Sequence, residues 1–182
     1  MKRYLSKLAV AKYAYRSSIV ALLIVGSTTS HASTFANSVT PDFDIGGSVT
    51  VTKVTDGDSL RSGKLKIRLF GIDAPEIKQN CTSATGESWA CGFAAKTAIG
   101  DMLGADSILQ CHLRDVDRYG RLVMQCFNQE QDIARALVKA GLALSYRQYS
   151  DLYVREEEQA QAAGVGMWQG AFLPPWQWRK NN

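Results

Sequence analysis

Hydrophobic and polar positions alternate most clearly from Lys64 to Phe70, where Leu65, Ile67 and Leu69 fall on one side and Lys66 and Arg68 on the other. A period of two marks a strand with one buried face. The shorter run Ser59–Arg61 precedes it across Ser62-Gly63. Together they predict a hairpin turning at Gly63, with Asp58 opposite Arg68. Upstream, Val49, Val51 and Val54 lie among Thr and Ser between Gly46 and Thr55 and predict a first strand, ended by the turn signal Asp56-Gly57. The period then lengthens. Trp89, Phe93, Ala94, Ile99 and Leu103 are the apolar positions of a helix over residues 89–103. Strands are expected at Ser107–Leu113 and Arg121–Phe127, around the turn Asp117-Arg118-Tyr119-Gly120. Two helices follow: Asp132–Ala140 with Gly141 as its C-cap, and Leu152–Ala163, opened by Ser150 or Asp151 and closed by Gly164. The order β-β-β-α-β-β-α-α suits an α+β fold, a five-stranded Greek-key barrel of the OB type with three helices.

The N-terminal stretch fits none of these elements. Lys2, Arg3, Lys7, Lys12 and Arg16 are basic, and no acidic residue precedes Asp42. An apolar run, Ile19 to Val25, leads to small and polar residues ending Ser30-His31-Ala32. This is the order of a secretory signal, with cleavage expected after Ala32. The run is shorter than the roughly 20 apolar residues that a membrane span needs. A mitochondrial presequence is the rival reading, because the basic part is long. Residues 1–32 are therefore read as a signal peptide, 33–45 as a linker, 46–175 as the folded domain and 176–182 as a C-terminal tail. The chain of 182 residues, 46% hydrophobic and 21% charged, has room for one such domain.

Export changes the meaning of the charge. The whole chain carries 21 basic and 17 acidic residues, but without residues 1–32 sixteen basic face seventeen acidic. Net charge then gives no support for nucleic-acid binding, and any such binding has to come from a local patch. A periplasmic or secreted chain also makes the four cysteines, Cys81, Cys91, Cys111 and Cys126, candidates for disulfides. Cys111 and Cys126 are equidistant from the middle of the Arg118-Tyr119 turn and would face each other across a regular hairpin. Cys81 and Cys91 would then close the loop into the first helix, although four cysteines allow three connectivities. A zinc site is the weaker alternative, since no CxxC pair exists and His112 is the only histidine after residue 32.

Chemistry concentrates in three stretches: Asp56-Gly57-Asp58-Ser59, Arg68 through Asp73-Ala74-Pro75-Glu76, and Asp117-Arg118-Tyr119-Gly120-Arg121. Asp58 and Asp73 can converge with a backbone carbonyl into a set of hard oxygen ligands, suited to Ca²⁺ or Mg²⁺. Glu76, stiffened by Pro75, can take a proton from water. Arg68 and Arg121 carry planar forks that match phosphate oxygens. Arg118 and Tyr119 can stack on or hydrogen-bond a nucleotide. Each residue has an ordinary explanation as a turn residue or surface charge. One small barrel collecting all of them does not.

These three blocks resemble the signature blocks of the staphylococcal nuclease (thermonuclease) family, and the resemblance extends over about residues 47–170, including Ala140-Gly-Leu-Ala143 and Gly166-Met-Trp168. It implies a Ca²⁺-dependent hydrolase, with Mg²⁺ or Mn²⁺ as lesser candidates, acting on DNA and RNA with little sequence preference and leaving 3′-phosphate ends. By the same resemblance Asp58 and Asp73 bind the metal through side chains, and Ala74 through its carbonyl where the family commonly has threonine. Arg68 and Arg121 hold the phosphate and Glu76 is the general base. Arg118 and Tyr119 contact the nucleotide, and Asp56 supports the ligands. Tyr146 and Tyr149 both remain candidates for substrate contact. No membrane association of the mature form and no obligate protein partner is implied. A non-catalytic OB-fold module that binds nucleic acid is the rival reading. It predicts missing acids or arginines, and none is missing here.

Overall fold

The computed structural model describes residues 45–104 and 107–182. The expected signal peptide, and all of the expected linker except Ile45, lie outside the described residues. Among the described residues no helix is long and apolar enough to cross a membrane.

The expected first strand is two: β1 (Gly46–Thr50) and β2 (Lys53–Val54). Next come β3 (Ser59–Ser62), β4 (Leu65–Leu69) and the short β5 (Ile72–Asp73). After α1 (Cys91–Leu103) the long hairpin β8 (Ile108–Val116) and β9 (Leu122–Asn128) completes the main sheet. Its order is β1-β8-β9-β4-β3-β2, with β10 (Gln131–Asp132) added to β9. The break between β1 and β2 has a structural purpose. Val51 N–H bonds Ser107 on one side and Thr52 N–H bonds Arg61 on the other, at 2.7 and 2.8 Å. The two ends of the sheet are thus consecutive pieces of one chain segment. The sheet curls back on itself, and its edges are covered rather than exposed. The pairing of β4 with β9 is parallel and the other strand pairs are antiparallel. This is the α+β, OB-type barrel that the pattern predicted.

The hydrophobic periodicity maps onto the core with two corrections. Ile67 and Leu69 are buried as expected and join Leu60, Leu109 and Met124 inside the barrel. The first correction concerns α1. It starts at Cys91, so Trp89 falls in β7 (Ser88–Trp89), which pairs with β6 (Cys81–Thr82). The helix turns Ala95, Ile99 and Leu103 inward at spacings of four, and Phe93 is left 60% exposed. The second correction is the β3–β4 register. The turn is the two residues Gly63-Lys64, so Ser59, not Asp58, lies opposite Arg68.

Helix α2 (Ile133–Lys139) is capped by Asp132, whose carboxylate accepts from Arg135 N–H at 3.1 Å, and Gly141 turns left-handed just past its end. The same Asp132 carboxylate, buried, also accepts from Tyr153 Oη at 2.9 Å and Gln125 Nε2 at 2.8 Å. It ties α2, β9 and the residue ahead of α3 (Val154–Ala163) together. Burial and the neighbouring Asp132 push the Tyr153 phenol well above its ordinary range, so it stays a donor. Downstream of the one-turn 3₁₀ helix (Gly166–Gln169), the chain forms a fourth helix, α4 (Pro175–Asn181), where a tail was expected.

Both inferred disulfides are present: Cys81–Cys91 and Cys111–Cys126. Cys111 and Cys126 are register partners of β8 and β9. A bulge at Arg114 shifts the register by one residue between them and the turn, which leaves the cysteine pairing intact. Each disulfide should contribute about 2–4 kcal/mol, so reduction should lower the midpoint of denaturant unfolding, and the less compact reduced unfolded chain should steepen its denaturant dependence. Asp132→Ala removes a cap and strands two buried donors. Its expected cost is about 2–4 kcal/mol, read by the same titration.

Candidate active site

The site begins at the Asp56-Gly57-Asp58 turn that feeds β3. Asp56 Oδ1 accepts from Asp58 N–H at 3.2 Å and holds the turn. Gly57 is required by close approach: a Cβ there would meet the Cβ atoms of Ala74 and Ala95, each at 2.7 Å. The turn can therefore press between β5 and α1. This buries Asp58, where Ser59 Oγ donates to Oδ1 at 2.8 Å and Ala74 N–H to Oδ2 at 3.3 Å. Asp73 is buried by a second device. Residues 144–145 form the strand β11, which pairs with β5 and lays Leu144 against Asp73.

Arg68 joins these two carboxylates. Its Nη1 lies 2.8 Å from Asp58 Oδ2 and its Nη2 lies 2.7 Å from Asp73 Oδ1. The aspartates are not on an open surface, as a rim site would have them. Both are buried, Asp58 at the edge of the cleft and Asp73 behind it, and both contact the Arg68 guanidinium. Burial pushes the Asp58 carboxyl above its ordinary value, against the pull of Arg68. Burial also works against the charge of Arg68, but the two aspartates outweigh it and hold the guanidinium above its usual value. The pair leaves Asp58 short of positive charge.

Glu76 is fixed by backbone rather than by Pro75 alone. Its N–H donates to Gln79 Oε1 at 3.2 Å, and its carbonyl accepts from Gln79 N–H at 2.7 Å. Gly92, the second residue of α1, touches it so closely that a Cβ would stand 1.7 Å from Glu76 O. Gln79, fully buried, was not legible as a site residue because nothing local distinguishes it from a loop polar group.

The third block forms the opposite wall. Asp117 Oδ1 accepts from the N–H groups of Tyr119 and Arg121, at 2.9 and 3.0 Å, and Asp117 Oδ2 takes Arg121 Nε at 2.6 Å. Arg118 and Arg121 flank the Tyr119 ring at 4.9 and 5.6 Å from its centroid, and that ring is 64% exposed. A cleft of about 740 Å³ separates this wall from Asp58, Arg68 and Glu76. Tyr146 and Tyr149 line it together, with ring centroids 4.8 Å apart. Asp56, Asp58, Arg68, Glu76, Arg118, Tyr119 and Arg121 are thus brought to one cleft, with Asp73 and Ala74 behind the lining. Arg121 is turned to Asp117 rather than toward the aspartates.

A second site residue, besides Gln79, was missed. Arg179, on α4, reaches Asp73 and Glu76. The only signal for it was the cluster Trp176-Gln-Trp178-Arg179-Lys180 at the end of the chain, which reads as readily as a loose tail.

Among the described residues no group of three or more His, Cys, Asp or Glu side chains is arranged as a metal cage. The donors do fit a hard cation held by fewer side chains. Two buried carboxylates converge on a guanidinium that stands where positive charge is demanded, and carbonyl and water oxygens complete such shells for Ca²⁺.

The chain is thus an OB-type barrel that gathers buried aspartates, several arginines and exposed aromatics at one cleft. Residues 66–170 match the model of the staphylococcal nuclease homologue family. The chain belongs to that family. It is 33% identical over 138 residues to an "Uncharacterized endonuclease" of Haemophilus influenzae, covering 71% of each chain. It is 32% identical over 117 residues to the "Succinoglycan biosynthesis protein ExoI" of Rhizobium meliloti, covering 63% of this chain and 61% of that one. It is 30% identical over 127 residues to "Probable staphylococcal-like nuclease CAN2" of Oryza sativa subsp. japonica, covering 68% of this chain and 32% of the rice protein. The chain therefore spans less than two thirds of the length of some of these relatives.

Arg68→Ala would leave Asp58 buried without its counter-charge and Asp73 with Arg179 alone. It should destabilise the fold by about 3 kcal/mol in chelator, measured by thermal unfolding. Added Ca²⁺ should recover part of the loss, because a cation at the same point supplies the missing charge.

Proposed function

We propose that this chain is an exported, Ca²⁺-dependent endonuclease that hydrolyses phosphodiester bonds of DNA and RNA and leaves 3′-phosphate ends. One observation carries the reading: Asp58 and Asp73, both buried, converge on the single guanidinium of Arg68 at the floor of a cleft walled by Arg121 and Tyr119. Family membership and relatives named as endonucleases and nucleases support the chemistry. The two disulfides are consistent with a periplasmic or extracellular setting.

We assign the roles from the family blocks, and the shared cleft supports them. Asp58, Asp73 and the Ala74 carbonyl would hold the cation, which supplies Lewis-acid polarisation of a phosphoryl oxygen when bound. Arg68 exchanges its aspartates for the phosphate. Arg121 leaves Asp117, which is poised in a turn beside it, and takes a second phosphoryl oxygen. The two guanidinium groups thereby meet the charge that grows on phosphorus in the transition state. Glu76 takes the proton of the attacking water as the new P–O bond forms, and the bond to the 5′ oxygen breaks as that oxygen takes a proton from solvent to become the 5′-hydroxyl end. Tyr119 and Arg118 lie against the nucleotide, Asp56 holds the Asp58 turn, and Tyr146 and Tyr149 extend the aromatic floor. Nucleic acid is read through phosphate and π-faces, so little sequence preference is expected.

Chelator should abolish cleavage and Ca²⁺ should restore it. Arg121→Ala should lower kcat by about 10²–10³-fold with little change in KM, because its contact matures only in the transition state. Steady-state kinetics on a plasmid and on an RNA substrate measure both. Undiminished cleavage by folded Arg121→Ala and Glu76→Ala proteins would falsify these assignments. Binding without cleavage by the wild type would put the non-catalytic OB-fold module in their place.

A further inference from the structure

Arg179 has no part in the chemistry just described, and it stands outside the residues that match the family, 66–170. Its Nη1 lies 3.0 Å from Asp73 Oδ1 and 2.9 Å from Glu76 Oε1, and its Nη2 lies 2.8 Å from Asp73 Oδ2. The fork therefore grips one carboxylate with two nitrogens and bridges to a second. Its side chain is 36% exposed, so this contact is made at the cleft and not in the core.

The placement is built, not the accident of a loose end. Ahead of Arg179 the strap is fastened four times. Thr82 N–H donates to Ala171 O at 2.8 Å. The buried Gln79 donates from Nε2 to Leu173 O at 2.7 Å. Pro175 is buried. The Trp176 ring lies parallel to Tyr146, 3° off, at 5.8 Å. Gln79 is the same residue that fixes the Glu76 backbone, so the strap and the general-base candidate share one anchor.

The consequence concerns Asp73. Arg68 and Arg179 both hold Oδ1, and Arg179 holds Oδ2. A Ca²⁺ ion needs a carboxylate oxygen at about 2.3–2.6 Å. With the guanidinium in place, such an ion would meet an oxygen already committed and a like charge beside it. The cation and the docked arginine therefore compete for Asp73.

We propose that Arg179 is the resident counter-ion of the cation site: it occupies Asp73 and Glu76 in the unloaded protein and is displaced when the cation binds. This rests on the reading of Asp58 and Asp73 as cation ligands. The arrangement couples two events. The displacement that opens Asp73 to the cation also releases Glu76, so the base becomes available to water only in the loaded protein. It also gives the buried Asp73 a second counter-charge before any cation is met.

The test is Ca²⁺ binding by isothermal titration calorimetry on chelator-treated, disulfide-bonded protein, without nucleic acid. Arg179→Ala should bind Ca²⁺ at least about tenfold more tightly than the wild type, since several charge-assisted contacts no longer compete. Arg179→Lys, which keeps the charge but loses the fork, should fall between them and guards against a folding defect in the alanine variant. Lys180→Ala removes the neighbouring charge on α4 and should leave the affinity unchanged. Equal or weaker binding by Arg179→Ala and Arg179→Lys overturns the proposal while leaving the cation site standing. Equal tightening by Lys180→Ala also overturns it, because net charge would then be the cause. Absence of Ca²⁺ binding in the wild type and every variant removes the cation site itself, and the proposal with it.

Discussion

Asp58 and Asp73 are buried carboxylates, and much of the structure follows from keeping them tolerable. A buried carboxylate is stable only beside positive charge or strong donors. Arg68 supplies the first to both of them, and Ser59 and the Ala74 amide supply the second to Asp58. The apparent excess of arginines around the cleft is the counterpart of this burial. Arg121 belongs to Asp117, Arg179 to Asp73 and Glu76, and Arg68 to both aspartates. The resting site is a network of carboxylates and guanidinium groups, each holding another in place. A phosphodiester and a hard cation would divide that network between them: arginines to phosphate, aspartates to metal. A preorganised set of charges that only has to exchange partners needs little reorganisation at the moment of reaction.

The barrel makes this burial possible. Its closure depends on β1 and β2 being one segment shared by both ends of the sheet, and on β4 pairing in parallel with β9. That parallel pairing brings Arg68 alongside Val123, and so sets the Arg68 strand beside the one that follows the Arg121 turn. The Cys111–Cys126 disulfide ties the far part of the same β8–β9 hairpin, whose turn carries Tyr119. Cys81–Cys91 anchors the loop between Glu76 and α1 at the point where Gly92 packs on the Glu76 backbone. Both covalent links therefore stiffen segments that present site residues, in a chain of modest core.

Much of the site was legible from residues close in sequence. Asp56, Asp58, Arg68, Asp73 and Glu76 fall within 21 positions, and a hairpin followed by a turn can bring them together without long-range information. The pairing of Cys111 with Cys126 was legible for the same reason, since a hairpin's partners follow from its turn. Legibility failed where contact is long-range or depends on one residue of register. Asp58 sits beside Leu69 rather than Arg68 because the turn has two residues, and Phe93 faces solvent because α1 starts at Cys91. Gln79, Asp132 and Tyr153 look like ordinary polar and aromatic positions until burial makes their hydrogen bonds obligatory.

The sequence by itself determined the order of the main strands and the first three helices, the disulfide-compatible cysteine spacing, the family blocks and the identity of the acids and arginines. Each of these is written in periodicity or in short spacings that act through local backbone geometry. Only the tertiary structure decided how deeply the aspartates are buried, that Arg121 rests on Asp117, and that the last helix returns to the cleft. The separation of 106 residues between Asp73 and Arg179 carries no local signal. Their contact exists because the strap is fastened at Ala171, Leu173, Pro175 and Trp176 before the helix ends, and because a buried carboxylate accepts the nearest guanidinium that such packing delivers.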